Sequence, residues 1–116
     1  MSRFDALPEF TEEFKRLLKK YRTLANDLAR LERLLAQYPA GAGKNFTIIH
    51  SGDGLKVVKA RMPCQSLRNR SIRIIYAYYE EIVTFMYIEI YYKGEKANED
   101  RARIKAYLSK KNEAGE

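Results

Sequence analysis

From Leu55 to Lys93 apolar residues alternate with cations through three successive runs, a period-2 pattern that fits a sheet with one oily face and one charged face and does not fit a helix. In the run Lys56–Met62, the side chains of Val58, Ala60 and Met62 fall on one side, and those of Val57, Lys59 and Arg61 on the other. In Ser71–Tyr78, Ile72, Ile74, Tyr76 and Tyr78 form the bulky apolar side, which makes Tyr76 a core residue and turns Arg73 away from the core with Ile75 and Ala77. The third run, Ile82–Lys93, is apolar enough for a central strand; counting by twos sends Met86, Ile88 and Ile90 to the core and leaves Tyr87, Glu89, Tyr91 and Lys93 opposite. Pairing the three runs gathers Lys59, Arg61, Arg73, Glu89, Tyr91 and Lys93 on one open surface that no expected helix covers.

The charge balance says what such a surface would meet. Twenty-two Lys and Arg against fifteen Asp and Glu leave +7 on a chain of 116 residues, which favours a polyanionic partner, nucleic acid before an anionic membrane surface. A chain of this length makes one domain, expected over residues 1–110 with a frayed tail at 111–116. No apolar run approaches the ~18 residues that span a bilayer, and the first residues lack a signal peptide's apolar segment, so a cytoplasmic protein is expected. The single cysteine, Cys64, forbids an internal disulfide and any multi-cysteine zinc site.

Around the sheet the chain reads as follows. Arg3–Leu7 suits a short edge strand, and Pro8 the first turn of a helix whose stripe is Phe10, Phe14, Leu17, Leu18 and Tyr21. After a short turn at Arg22, Thr23 can cap a second helix with the stripe Leu24, Leu28, Leu31, Leu35 and Tyr38, closed by Pro39, Gly41 and Gly43. The Gly41-Ala42-Gly43-Lys44 stretch is not a phosphate-binding P-loop, because Tyr38 and Asn45 stand where that motif needs Gly and Ser or Thr. Phe46–His50 is expected to pair through a four-residue loop, Ser51–Gly54, with the strand that follows. Leu67–Arg70 reads as a basic turn, Glu80-Glu81 as a tight turn, and Asn98 as the cap of a last helix with Ile104, Tyr107 and Leu108 on its apolar side. The predicted class is thus α+β: an edge strand, a helical hairpin, a twisted antiparallel sheet of about four strands and a short C-terminal helix.

That order, together with Pro8-Glu9-Phe10 and Phe14-Lys15-Arg16-Leu17, Lys20-Tyr21, Val58-Lys59-Ala60-Arg61-Met62, Ser71-Ile72-Arg73-Ile74-Ile75-Tyr76 and Ile90-Tyr91-Tyr92-Lys93-Gly94-Glu95-Lys96, resembles the RelE/ParE superfamily of bacterial toxins. These are the growth-arresting halves of type II toxin-antitoxin pairs, and the resemblance is to the RelE/HigB-like branch. It implies an endoribonuclease without metal or other cofactor that cuts messenger RNA at the ribosome, the 2′-hydroxyl attacking the adjacent phosphate. It also implies a cognate antitoxin, probed most simply in the neighbouring reading frame. By the same resemblance Lys59 and Arg61 match the family's basic strand pair, Arg73 its "R-hydrophobic-hydrophobic-Y" strand, and Lys93 the cation delivered by the last strand. Many members place a Tyr or His further on; the matching position here is about Glu99, with no aromatic until Tyr107, and Tyr91 or Tyr92 is the substitute.

Each residue also has a plainer role to set against these. Charged strand faces are most often merely solvated, but three cations from two apolar strands favour phosphate contact, at ~1–3 kcal/mol per charge-assisted bond. Glu89 is a candidate base by position. One of Tyr91 and Tyr92 belongs to the core, and register decides which. His50, the only histidine, reads as a loop-edge residue without a role, and Cys64 as structural. The helical cations Lys15, Lys19, Lys20, Arg22, Arg30 and Arg33 solubilise the hairpin; with Arg68 and Arg70 of the basic turn, Lys15, Lys19, Lys20 and Arg22 are the candidates for backbone contact with RNA. Two other functions compete: a ParE-like, non-enzymatic inhibitor of DNA gyrase on the same fold, and a basic RNA-binding domain without toxicity.

Overall fold

The computed structural model describes residues 3–114, with side chains described for 3–110. Its elements in chain order are β1 (Arg3–Ala6), α1 (Pro8–Lys20), α2 (Leu24–Gln37), β2 (Phe46–Gly52), β3 (Leu55–Cys64), β4 (Arg70–Tyr79), β5 (Thr84–Tyr92) and α3 (Arg101–Ala114), with one short 3-10 turn at Gln65–Leu67. The class is α+β. The sheet has five strands in the order β1-β5-β4-β3-β2 and is mixed, because β1 pairs parallel to β5 while the other neighbours are antiparallel. The expected sheet of about four antiparallel strands is corrected on both counts.

Both hairpin helices lie on one face of the sheet. Pro8 opens α1 where its missing N–H costs nothing, Glu9 sits in the first turn and Lys19 and Lys20 in the last, each complementing the helix dipole. Phe10 and Leu17 of α1, with Leu24, Leu31 and Leu35 of α2, pack on Val58, Ala60, Met62, Ile72, Ile74, Tyr76, Phe85, Tyr87 and Ile90. Burying each large apolar side chain there contributes ~1.5–3 kcal/mol. Tyr76 is fully buried as expected, its hydroxyl donating to the Pro39 carbonyl at 2.7 Å and anchoring the loop after α2. Tyr38, expected on the α2 stripe, ends that helix instead and is 52% exposed.

Thr23 precedes α2 without making a side-chain cap. Its hydroxyl donates to the buried carboxylate of Asp27 at 2.9 Å, and it exchanges bonds with Ser66: Thr23 N–H donates to Ser66 Oγ at 3.0 Å and Ser66 N–H to Thr23 Oγ1 at 2.9 Å. This clamp fastens the tip of the helical hairpin to the β3–β4 connection. Cys64 lies buried beside it, where desolvation pushes its thiol pKa up, in keeping with a structural role.

Part of the second face is covered by α3. Ile104, with Tyr107 and Leu108, rests on Leu55, Val57, Ile75, Ala77 and Ile88, so the expectation that no helix covers this face is corrected. Asp100 rather than Asn98 caps α3, accepting the Arg103 N–H at 3.0 Å. The helix runs to Ala114, into the stretch expected to be tail; of that tail, residues 115 and 116 lie outside the described residues. The β2–β3 connection is tighter than expected, since β2 extends to Gly52 and leaves Asp53-Gly54, both at positive φ (55° and 75°), as a two-residue hairpin turn.

Candidate nucleic-acid interface

The strand phase of β3 and β4 places the expected cations as the sequence pattern requires. Arg61 of β3 is the cross-strand partner of Arg73 of β4, and Arg73 is in turn opposite Tyr91 of β5; one step along, Lys59 is opposite Ile75, and Ile75 opposite Glu89. Five of the six expected residues therefore occupy adjacent positions on one face, and Lys93 follows directly on the end of β5.

The phase of β5 is only half as expected. Ile75 pairs with Glu89 but the next residue, Tyr76, pairs with Tyr87, so Ile88 is bulged out of the ladder. Beyond the bulge Ile90 faces the hairpin helices, whereas before it Phe85 and Tyr87 do and Met86 and Ile88 turn toward α3. Counting by twos thus put Met86, Ile88 and Tyr87 on the wrong faces, because one extra residue reverses every side chain on its far side. Tyr87 is a core residue whose hydroxyl donates to Glu32 at 2.9 Å; burial is the main cause that pushes its phenol pKa up.

The bulge is held from outside the sheet. β1 ends at Ala6, leaving the β5 edge without a strand past Tyr87, and two side chains take over: Glu13 of α1 accepts the Ile90 N–H at 3.3 Å, and Arg103 of α3 donates to the Ile88 carbonyl at 3.0 Å. Arg103 and Glu13 also bind one another through two bonds of 2.9 Å, a planar two-point pairing that joins α1, β5 and α3. Sequence reasoning missed this pair. Its only trace was a lone Arg on an otherwise apolar side of α3.

The loop from Lys93 to Asp100 is stitched to the molecule by charge. Glu95 binds Lys20 at 2.6 Å and Arg16 at 3.5 Å on α1. Lys96 pairs with Glu89, whose other oxygen accepts the Asp100 N–H at 2.7 Å. Glu99 accepts from Lys59 at 3.0 Å and from the Tyr91 hydroxyl at 3.4 Å. Glu89 is consequently wholly buried and Tyr91 is 2% exposed, with Lys96 over its ring. Burial is the chief cause raising the Tyr91 phenol pKa. Neither residue is open to a substrate, which corrects the expectation of an exposed Glu89 base and Tyr91. Register assigns Tyr92 to the hairpin side, packed against the core there.

Three of the expected site cations remain open. Arg61 and Lys93 are exposed and Arg73 half-buried; Arg73 donates to the Ser71 carbonyl at 3.3 Å, and among the described residues none of the three has a carboxylate within ion-pair distance. Like charges directly opposite on neighbouring strands are destabilising, by roughly the 0.2–1 kcal/mol that opposite charges contribute. An anion bridging Arg61 and Arg73 would reverse that term.

The remaining cations fall into two groups. Arg22, Arg68 and Arg70 are exposed at the end of the molecule that the Thr23–Ser66 clamp draws together, next to the end of the sheet bearing Arg61, Arg73 and Lys93. Lys15 and Lys19 are exposed on α1, with Lys15 making only a loose contact of 3.9 Å with Glu12, and Lys20 is engaged with Glu95. His50 lies exposed on β2. No helix among the described residues is long and apolar enough to cross a membrane.

Comparison of the chain with models of known protein families, with curated proteins and with solved structures finds no match.

Proposed function

We propose that this chain is the toxin half of a type II toxin-antitoxin pair, with a RelE-like fold, acting in the cytoplasm as a metal-independent endoribonuclease on messenger RNA at the ribosome. The observation that carries the reading is the cross-strand pair Arg61–Arg73, open and without a carboxylate, with Lys93 at the end of the neighbouring strand. The order of edge strand, helical hairpin, sheet and C-terminal helix supports it as well. In the reaction the 2′-hydroxyl oxygen bonds to the adjacent phosphorus and the 5′-oxygen leaves, giving a cyclic phosphate. Negative charge grows on the non-bridging oxygens as it does so. Two guanidinium groups fixed on strands meet that charge without reorganising, which is the usual way a protein lowers such a barrier. With Glu89 and Tyr91 enclosed, the proton of the 2′-hydroxyl passes to water and the departing 5′-oxygen takes its proton from water. The partner is an acidic antitoxin covering the basic surface.

A second reading keeps the fold and drops the chemistry: a ParE-like inhibitor that blocks DNA gyrase through protein contacts. The enclosure of both acid-base candidates, Glu89 and Tyr91, favours it.

Induction in cells followed by mapping of transcript 5′ ends separates the two. Cuts at codon positions in translated messages are expected, and Arg61→Ala and Arg73→Ala are expected to relieve growth arrest with an unchanged circular dichroism spectrum. An SOS response with intact messages favours gyrase inhibition. If both variants arrest growth fully, the arginine pair is not the site.

A further inference from the structure

Lys59 is the cation of this face that the fold does not leave free. It stands two residues before Arg61 on β3, about 7 Å along the same face by strand geometry, yet its ammonium is turned to Glu99 Oε1 at 3.0 Å. Two lysines near the site are paired with carboxylates, and the two pairs differ. Glu89 is sealed, and its second oxygen holds the Asp100 N–H at 2.7 Å, so it belongs to the framework that seats α3. Glu99, besides a hydrogen bond to its own backbone, takes side-chain partners only: Lys59, the Tyr91 hydroxyl at 3.4 Å and, on its other oxygen, Arg101 at 3.9 Å. It lies on the loop leading into α3, beside the uncovered arginine pair.

We infer that the polyanion site extends to Lys59, and that Glu99 is a built-in competitor for it, standing in the free protein where a phosphate of single-stranded RNA stands in the complex. Binding then exchanges one Lys59 contact for another, so that Lys59 adds little net affinity and Glu99 sets how weakly the resting protein holds RNA. Burial opposes ionisation of Glu99, but its backbone hydrogen bond and the charges of Lys59 and Arg101 outweigh it and hold the carboxyl below its ordinary range. Glu99 is therefore ionised at neutral pH. This inference rests on the reading of Arg61 and Arg73 as a phosphate site, and deepens it by naming a further cation of that site and what restrains it.

The test is anisotropy titration of a short, uncleavable 2′-O-methyl RNA at several salt concentrations, with melting curves as the check on folding. Glu99→Gln is expected to tighten binding about three- to tenfold and to steepen the log–log salt slope by about 0.7, the increment of one added phosphate contact to a single strand. Adding Lys59→Gln to that variant should abolish the gain. Lys59→Gln alone should weaken binding less than twofold, against a several-fold loss for Arg61→Ala. That comparison holds even where Glu99→Gln does not fold. An unchanged affinity and slope in Glu99→Gln, or a Lys59→Gln loss as large as that of Arg61→Ala, overturns the inference and leaves the arginine reading intact. Undiminished binding by the Arg61→Ala, Arg73→Ala double variant overturns the arginine reading itself.

Discussion

The sheet face beneath α3 and its continuation past that helix are built from the same three strands, yet they meet opposite fates. In the first half Val57, Ile75, Ala77 and Ile88 are apolar, and α3 buries them. In the second half the same face offers Lys59, Arg61 and Arg73, and coverage ends with the loop that precedes α3. Lys59 and Glu89 mark the border, each closed off by a carboxylate or an ammonium from that loop region. The difference teaches that the open site is where the apolar face positions of β3 and β4 give way to cations: a helix gains nothing by lying on guanidinium groups it cannot pair. One half supplies stability and the other presents charge.

Substitutions should separate those roles, and the largest effect belongs to the covered half. Ile75 is fully buried under α3; Ile75→Ala should cost ~2–5 kcal/mol in urea unfolding. Arg61→Ala with Arg73→Ala, Arg73 lying two residues from Ile75 on β4 and Arg61 opposite Arg73 on β3, should leave stability unchanged or slightly raised as the like-charge pair is relieved. Comparable losses in both halves would erase the distinction. Next comes the tie between the halves: Arg103→Ala removes the pairing with Glu13 and strands the Ile88 carbonyl, for ~1–3 kcal/mol, and hydrogen exchange should report faster opening of the β5 edge near Ile90 before the rest of the sheet. Uniform acceleration throughout would mean that Arg103 does not act locally.

The smallest effect is one of acidity. Glu99, held by Lys59, Tyr91 and Arg101, has its folded pKa below the ordinary carboxylate value. The sign follows: its contribution is complete above that ordinary value and is lost as pH falls through the lowered folded one. Thermal melts from neutral pH downward should show the loop between β5 and α3 loosening in acid, and Glu99→Gln should flatten that part of the curve. An identical acid profile in the variant would remove Glu99 from the account.

How much of this could be read from the amino acids differs from strand to strand. The alternation in β3 and β4 is unbroken, so Val58, Ala60 and Met62 against Lys59 and Arg61, and Ile74 and Tyr76 against Arg73, had one consistent phase. β5 defeated the same reasoning because both of its faces are apolar before Glu89, and the bulge at Ile88 carries no glycine or other residue that announces it. The apolar side of α3 was visible in Ile104, Tyr107 and Leu108, but where that side docks was not, since sequence spacing does not say which sheet face a helix returns to. The enclosure of Glu89 and Tyr91 was hidden for the same reason: it depends on Lys96 and Glu99, polar residues that read as loop.

The parallel pairing of Arg3–Ala6 with Thr84–Tyr87 has a consequence for how the molecule is made. During synthesis the first strand and the hairpin after it emerge with nothing to lie on, and they must wait until β5 has left the exit tunnel before the sheet can be closed along that edge. The stacking of Phe4 on Phe85 at 4.5 Å is among the last aromatic contacts that can form, although Phe4 is translated long before its partner. A nascent chain halted before β5 would have only β3 and β4 on which to seat its helical hairpin, and α1 would lack the strand it packs against most closely.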